Sequence, residues 1–294
     1  MTGRERLVDD VGHGDHLCLA FDDDAEQRRV ATRYVADGLR RGERVLYLLD
    51  RDSPDTVREW LRAAAADVPA ALASGQLRVA AWDGSSVSGR FDAEAMIGTL
   101  RRELHESLDA GYTGLRVSGE MAWALRGVPD AAQIRRYETK VTEVFSASRA
   151  SAVCQYDARL LDADQLAAVD LCHPLAVELA PLRSTGTLRI VPAFQAGQRT
   201  LRVVGSVDHH TVDQFAEALR DACARPGDLR VDMGDLEFID LAGLRILART
   251  AESLDAGRRL LITGLAPMLC RVIRIAGLAR SPALVLPDEE EPAP

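Results

Sequence analysis

Met233-Gly-Asp-Leu-Glu-Phe-Ile-Asp-Leu-Ala-Gly-Leu-Arg-Ile-Leu247 joins a short apolar run to a helical one through a single aspartate. Leu229 to Met233 has the length of a β-strand, and Leu244, Leu247, Ala248 and Ala251 recur at helical spacing. Asp240 stands where a helix N-cap belongs, so its carboxylate would accept from an amide of the first turn. Gly243 falls inside that turn, where a missing Cβ leaves room for close approach. A buried strand and an amphipathic helix thus meet at a turn placed for contact with another molecule.

Around this stretch the pattern predicts a strand pair over Thr187–Val191 and Thr200–Val204 and a helix marked by Val212, Phe215, Ala216 and Leu219. Downstream come a strand over Leu260–Thr263, a helix led by Pro267 and ending at Gly277, and a last strand around Ala283–Leu286. The run apolar-x-Phe238-Ile239-Asp240-x-x-Gly243-Leu244-x-x-Leu247, set in this order of elements, resembles the centre of a STAS domain, the small α/β fold of anti-sigma-factor antagonists. The resemblance implies an anti-sigma factor or related regulatory protein as partner. The contact surface would draw on Asp208, Asp235, Phe238, Asp240, Leu241, Ala242, Gly243 and Leu244. In that family the residue after the aspartate is often a serine phosphorylated by a partner kinase. Leu241 holds that position and Ala242 follows it, so the expected phospho-acceptor is absent there.

From Asp15 to Leu179 short apolar runs alternate with helical patterns. Strands are predicted at His16–Phe21, Arg44–Leu49, Leu77–Ala81, Leu115–Ser118, Ala152–Tyr156 and Leu175–Leu179. Helices are predicted at Ala25–Arg40, from Ser53-Pro54 onward, at Phe91–Asp109, and from Pro129-Asp130 with Ile134, Tyr137, Val141, Val144 and Phe145 on one face. This alternation implies parallel strands with crossover helices, an α/β sandwich whose ligands bind beyond the carboxyl ends of the strands. The turn after the first strand reads Phe21-Asp-Asp-Asp-Ala-Glu26, without the glycines and lysine that cradle a phosphate.

Four short pieces, Gly14-Asp-His-Leu-Cys18, Gly119-Glu-Met-Ala-Trp123, Cys154-Gln-Tyr-Asp157 and Cys172-His-Pro174, resemble in order the landmarks of the MEDS sensory domain. That family is similar in fold to RecA- and KaiC-like ATPases but lacks their phosphate loop, and the resemblance implies sensing of small organic compounds. The ligand-binding candidates are His16, Cys18, Glu120, Trp123, Gln155, Tyr156 and His173. His16 and Cys18 lie two apart on a strand and so face one side. Glu120 and Gln155, with Tyr156, close adjacent strands and are expected at one carboxyl edge.

No cofactor and no catalytic residue are expected. Zinc would draw on His16, Cys18, Cys154, Cys172 and His173, but none of these forms a close C-x2-4-C pair, so no metal site is assigned. The 294 residues suffice for two cores, expected as a sensory domain at 1–183, a linker at 184–187, a STAS domain at 188–288 and an acidic tail at 289–294. A net charge of −9 argues against direct nucleic-acid binding. Five scattered cysteines read as free thiols in a cytoplasmic signalling protein, and no apolar run approaches the ~20 residues that span a bilayer. The other readings are a residual nucleotide-binding or hydrolytic enzyme in the first domain, and a scaffold subunit that pairs with further STAS chains as a homo-oligomer.

Overall fold

Strands that are buried along their whole length must be covered on both faces, and the central strands of the N-terminal half are of this kind. The computed structural model describes residues 5–50, 53–65, 67–81, 93–122, 131–195 and 197–287. It divides into two units, Thr2–Glu178 and Leu179–Pro294.

The first unit runs β1 (Glu5–Leu7), β2 (His16–Phe21), α1 (Asp24–Arg40), β3 (Arg44–Leu49), α2 (Pro54–Ala64), α3 (Val68–Ser74), β4 (Leu77–Ala81), α4 (Ala93–Asp109), β5 (Leu115–Glu120), α5 (Ala131–Ser146), β6 (Ala150–Asp157), α6 (Ala163–Cys172) and β7 (Leu175–Glu178). Its strands form a parallel sheet in the order β1-β7-β2-β6-β5-β3-β4. Every residue of β5 and β6 is buried. On one face Met96, Ile97 and Leu100 of α4 and Tyr137, Val141 and Phe145 of α5 pack on Val117, Ala152 and Cys154. On the other, Val35 and Leu39 of α1 and Val57 and Leu61 of α2 pack on Val45, Tyr47, Leu49 and Val79. The expected α/β sandwich is observed.

Ser53 caps α2 as its sequence predicts, accepting from the Thr56 amide at 3.1 Å. The start of α1 explains the missing phosphate loop in positive terms. Asp23 accepts from the amides of Ala25 and Glu26 at 2.8 and 3.0 Å, so a carboxylate of the chain itself occupies the amide end where a phosphate would sit. Several elements go beyond the periodicity reading, β1 and α3 among them. β5 continues through Glu120 rather than ending at Ser118. The unexpected α6 carries a capping box, Asp162 accepting from the Gln165 amide while the Gln165 side chain accepts from the Asp162 amide. Phe91, Pro129 and Asp130, read as helix starts, and the tail from residue 288 lie outside the described residues.

The second unit runs β8 (Arg183–Ser184), β9 (Leu188–Gln195), β10 (Gln198–Val207), α7 (Val212–Cys223), β11 (Leu229–Asp232), β12 (Leu236–Ile239), α8 (Leu241–Ser253), β13 (Leu260–Thr263), α9 (Pro267–Ile275) and β14 (Leu284–Val285). The mixed sheet has the order β14-β13-β11-β10-β9-β8, with β12 also on β10. Phe215, Leu219, Leu244, Leu247 and Ile273 of the helices close its core over Val203, Val231 and Ile262. The stretch expected as a linker is partly structured, because Arg183 and Ser184 pair antiparallel with Ile190 and Arg189. Leu236–Ile239, which the turn reading left without regular structure, is a short strand parallel to β10.

Candidate functional site

Side chains alternate across a sheet with period two, and this parity sorts the candidate residues of the first unit. His16 and Cys18 of β2 share a face with Cys154 and Tyr156 of β6, as expected for the β2 pair; Cys18, Cys154 and Tyr156 belong to the core under α4 and α5. Gln155, one residue away, points to the other side with Ser118 and Glu120 of β5. The expectation that Glu120, Gln155 and Tyr156 line one pocket is therefore corrected, because neighbours on a strand cannot share a face. Trp123 lies outside the described residues.

On the Glu120 side a hydrogen-bond network sits at the carboxyl edge. The Tyr47 hydroxyl donates to Glu120 Oε1 at 3.1 Å and the Asp50 amide to Oε2 at 2.9 Å. Gln27 Nε2 donates to Gln155 Oε1 at 2.6 Å, and Gln155 Nε2 to Ser118 Oγ at 2.8 Å. A small cavity of about 20 Å³ opens beside Gln27, Glu120, Gln155 and Asp157. Burial, followed by the Glu120 charge, pushes the Tyr47 phenol well up, which keeps it a donor.

The opposite face holds a cavity of about 30 Å³, lined among others by Met96, Val117, Met121, Val141, Ala152 and Cys154, with Glu120 at its margin. Roughly 10 to 15 Å³ suffices for one water, so this space suits a molecule of few heavy atoms.

Deeper under the same face, four residues from four elements converge. His16, Glu138, Cys154 and His173 are all buried, and one donor atom from each lies within 4.8 Å of the others. His16 Nε2 is 3.3 Å from Cys154 Sγ and 3.4 Å from Glu138 Oε2, and His173 Nε2 is also 3.4 Å from Glu138 Oε2. The Tyr156 hydroxyl donates to Glu138 Oε1. Burial pushes the Glu138 carboxyl up, but the His173 and His16 imidazoles and the Tyr156 hydroxyl outweigh it and hold the group below the usual carboxylate range. Burial, then the Glu138 charge, pushes the Cys154 thiol well up. Of the other cysteines considered for zinc, Cys172 donates to the Ala168 carbonyl instead, and Cys18 packs in the core beside Cys154 without joining the four.

Glu138 was absent from the sequence candidates. The signal was present, since Glu138 falls between Ile134, Tyr137, Val141 and Phe145 on the buried stripe of α5, where a lone carboxylate is costly without partners.

In the second unit Asp240 is the N-cap of α8, accepting from the Gly243 amide at 2.8 Å. A Cβ on Gly243 would come within 2.6 Å of Ile239 Cγ1 and 2.8 Å of Val207 Cγ1, which explains the glycine. Phe238 and Leu241 flank the cap with exposures of 53% and 44%, and Ala242 is exposed beside them. Leu244, grouped with the contact surface in the sequence, faces the core instead, as does Gly243. Asp208 is an intermediate-burial turn residue; the His210 amide heads the interactions that hold its carboxyl below the usual range. Asp235 lies 3.6 Å from Arg202 Nε. Replacing Asp240 with alanine orphans the Gly243 amide, and chemical denaturation of the second unit should register a loss of about 1 kcal/mol.

Comparison with known proteins adds two matches. The family model described as MEDS, methanogen/methylotroph, DcmR sensory domain, matches residues 15–174, and the one described as Mlab, STAS domain, matches residues 191–287. No curated protein matches the chain. A solved structure similar to it, described as an anti-sigma factor antagonist from Mycobacterium paratuberculosis, shares 25% identity over 37% of this chain and 93% of its own, with a TM-score of 0.30.

Proposed function

Because this chain belongs to the MEDS family and carries a STAS domain behind its sensory domain, we propose that its signalling role is to convert occupancy by a small organic molecule into altered binding of an anti-sigma factor. The observation that carries the sensing half is the apolar cavity of about 30 Å³ under β5 and β6. Its lining suits a small apolar body.

The partner-binding half rests on Phe238 and Leu241, large apolar side chains exposed on either side of a rigid helix cap. Such anchors fill partner pockets, and truncating one typically costs 1 to 4 kcal/mol or about tenfold and more in affinity. With leucine at 241, control passes to ligand occupancy instead of phosphorylation. Asp23 occupying the amide end of α1 supports a binding role over nucleotide hydrolysis. Coupling requires that the guest bind two arrangements of the chain with different affinity.

Calorimetry with one- to four-carbon alcohols, amines, ketones and halocarbons tests the first half. Saturable binding should be lost in Ala152→Leu, which fills the cavity, and kept in Asp240→Ala. For the second half, Phe238→Ala should weaken capture of the cognate anti-sigma factor at least tenfold. Equal affinity for that partner with and without bound guest would sink the coupling.

A further inference from the structure

We propose that His16, Glu138, Cys154 and His173 form a buried binding site for a divalent transition metal of the zinc class. Metal–ligand bonds of about 2.0 to 2.3 Å in a tetrahedron place donors roughly 3.3 to 3.8 Å apart. The three resolved edges of the cluster measure 3.3, 3.4 and 3.4 Å, at the lower end of that range. Hydrogen bonds between nitrogen and oxygen center instead near 2.9 Å, and Glu138 Oε2 takes part in none among the described residues.

Proton bookkeeping around the two imidazoles points the same way. The Thr142 hydroxyl has one hydrogen and donates it to the Glu138 carbonyl at 3.0 Å. Its oxygen, 2.8 Å from His16 Nδ1, must then accept from that nitrogen, so Nε2 is the ring nitrogen left to face Cys154 and Glu138. His173 Nδ1 lies 2.8 Å from the Val169 carbonyl, which can only accept, so its Nε2 is likewise the ring nitrogen that faces Glu138. A histidine whose outer nitrogen donates to a carbonyl or hydroxyl while the inner one faces other donors has the arrangement of a metal ligand.

Two neutral imidazoles, a carboxylate and a thiolate would balance a dication, leaving a buried site without net charge. Binding releases the Cys154 thiol proton to solvent and joins β2, β6, α5 and the end of α6 through one ion. Four protein donors make the site closed and structural in kind. Cys154 also lines the apolar cavity, so the cluster borders it. The site stands independently of the sensing proposal, which a metal-free protein would leave intact.

The full-length chain, purified without chelator, should hold one zinc per molecule, and its X-ray absorption edge should fit one sulfur and three nitrogen or oxygen ligands. Cobalt added to the stripped chain should give ligand-field bands of tetrahedral intensity together with a thiolate charge-transfer band. That band should vanish in Cys154→Ala and persist in Cys172→Ser. A folded chain that contains less than a tenth of an equivalent of zinc and binds no cobalt would reduce the cluster to an imidazolium–carboxylate pair and overturn the proposal. An absorption fit without sulfur, or a cobalt spectrum unchanged in a folded Cys154→Ala chain, would also overturn it. The wild-type absorption measurement decides the matter even if the variant fails to fold.

Discussion

Replacing Arg116 with methionine should destabilise the first unit by about 3 to 5 kcal/mol, the usual consequence of removing one partner from a buried ion cluster. Arg116 is fully buried on β5, with Nε 2.6 Å from Glu43 Oε2 and Nη1 3.0 Å from Asp37 Oδ2. Its guanidinium also donates to the carbonyls of Tyr34 and Val11 and lies 4.6 Å over the Tyr34 ring. Both carboxylates are buried, and methionine would leave them facing a space without the main positive charge. Arg41, 2.7 Å from Asp37, and His13, 2.7 Å from Glu43, reach in from more exposed positions and offset part of the loss. At roughly 2 to 4 °C per kcal/mol for a unit of this size, the melting temperature should fall by about 6 to 20 °C. Calorimetric scanning of the full chain checks this, and a shift below 2 °C would show that the carboxylates relax to water or protonate at little cost. Lysine at 116 should not restore stability, since an ammonium cannot reproduce the forked contacts to two acids and two carbonyls.

The second large effect is expected from Gly205→Ala in the C-terminal unit. Gly205 sits at φ +92°, and an added Cβ would lie 2.1 Å from the Thr187 carbonyl oxygen, a backbone atom that cannot swing away. The residue marks an irregularity where β10, already paired with β9, takes β12 on its other side; the Gly205 amide donates to the Asp235 carbonyl at 3.0 Å. Left-handed strain of about 1 to 2 kcal/mol and overpacking of about 1 to 3 kcal/mol together predict a loss of roughly 2 to 5 kcal/mol. Gly257→Ala separates the two causes, because Gly257 has φ +87° with nothing near its would-be Cβ. Urea unfolding should find Gly257→Ala about 1 kcal/mol less stable than the parent and Gly205→Ala well beyond it. Equal losses would mean that strain alone matters and that the backbone at Thr187, just before β9, yields freely. Since β12 leads directly into Asp240, Gly205→Ala should also weaken partner capture more than Gly257→Ala.

Local chemistry was legible where it is governed by residues close in the chain. The strands His16–Phe21, Arg44–Leu49, Leu77–Ala81 and Leu260–Thr263 follow from short apolar runs, and the caps at Ser53 and Asp240 from the need of helix amides for an acceptor. β12 was missed because its four residues, half exposed, carry little periodicity of their own and are strand only through Gly205, Ser206 and Val207 of β10. α6 was missed although Asp162 and Gln165 announced it, because its apolar residues do not segregate to one stripe.

By itself the sequence determined the α/β alternation, the two-domain order, the lost phosphate loop and the leucine where an acceptor serine would stand, since each is written in adjacent residues or in their absence. The tertiary structure alone decided which candidates meet. Strand parity sent Glu120 and Gln155 to one face and His16, Cys154 and Tyr156 to the other, and the packing of α5 on that second face brought Glu138 to His16, 122 positions away in the chain. Spacing along a chain fixes which way a side chain points within its own element. Which distant side chain it points at depends on strand order and helix placement, and those are settled only when all the elements are packed together.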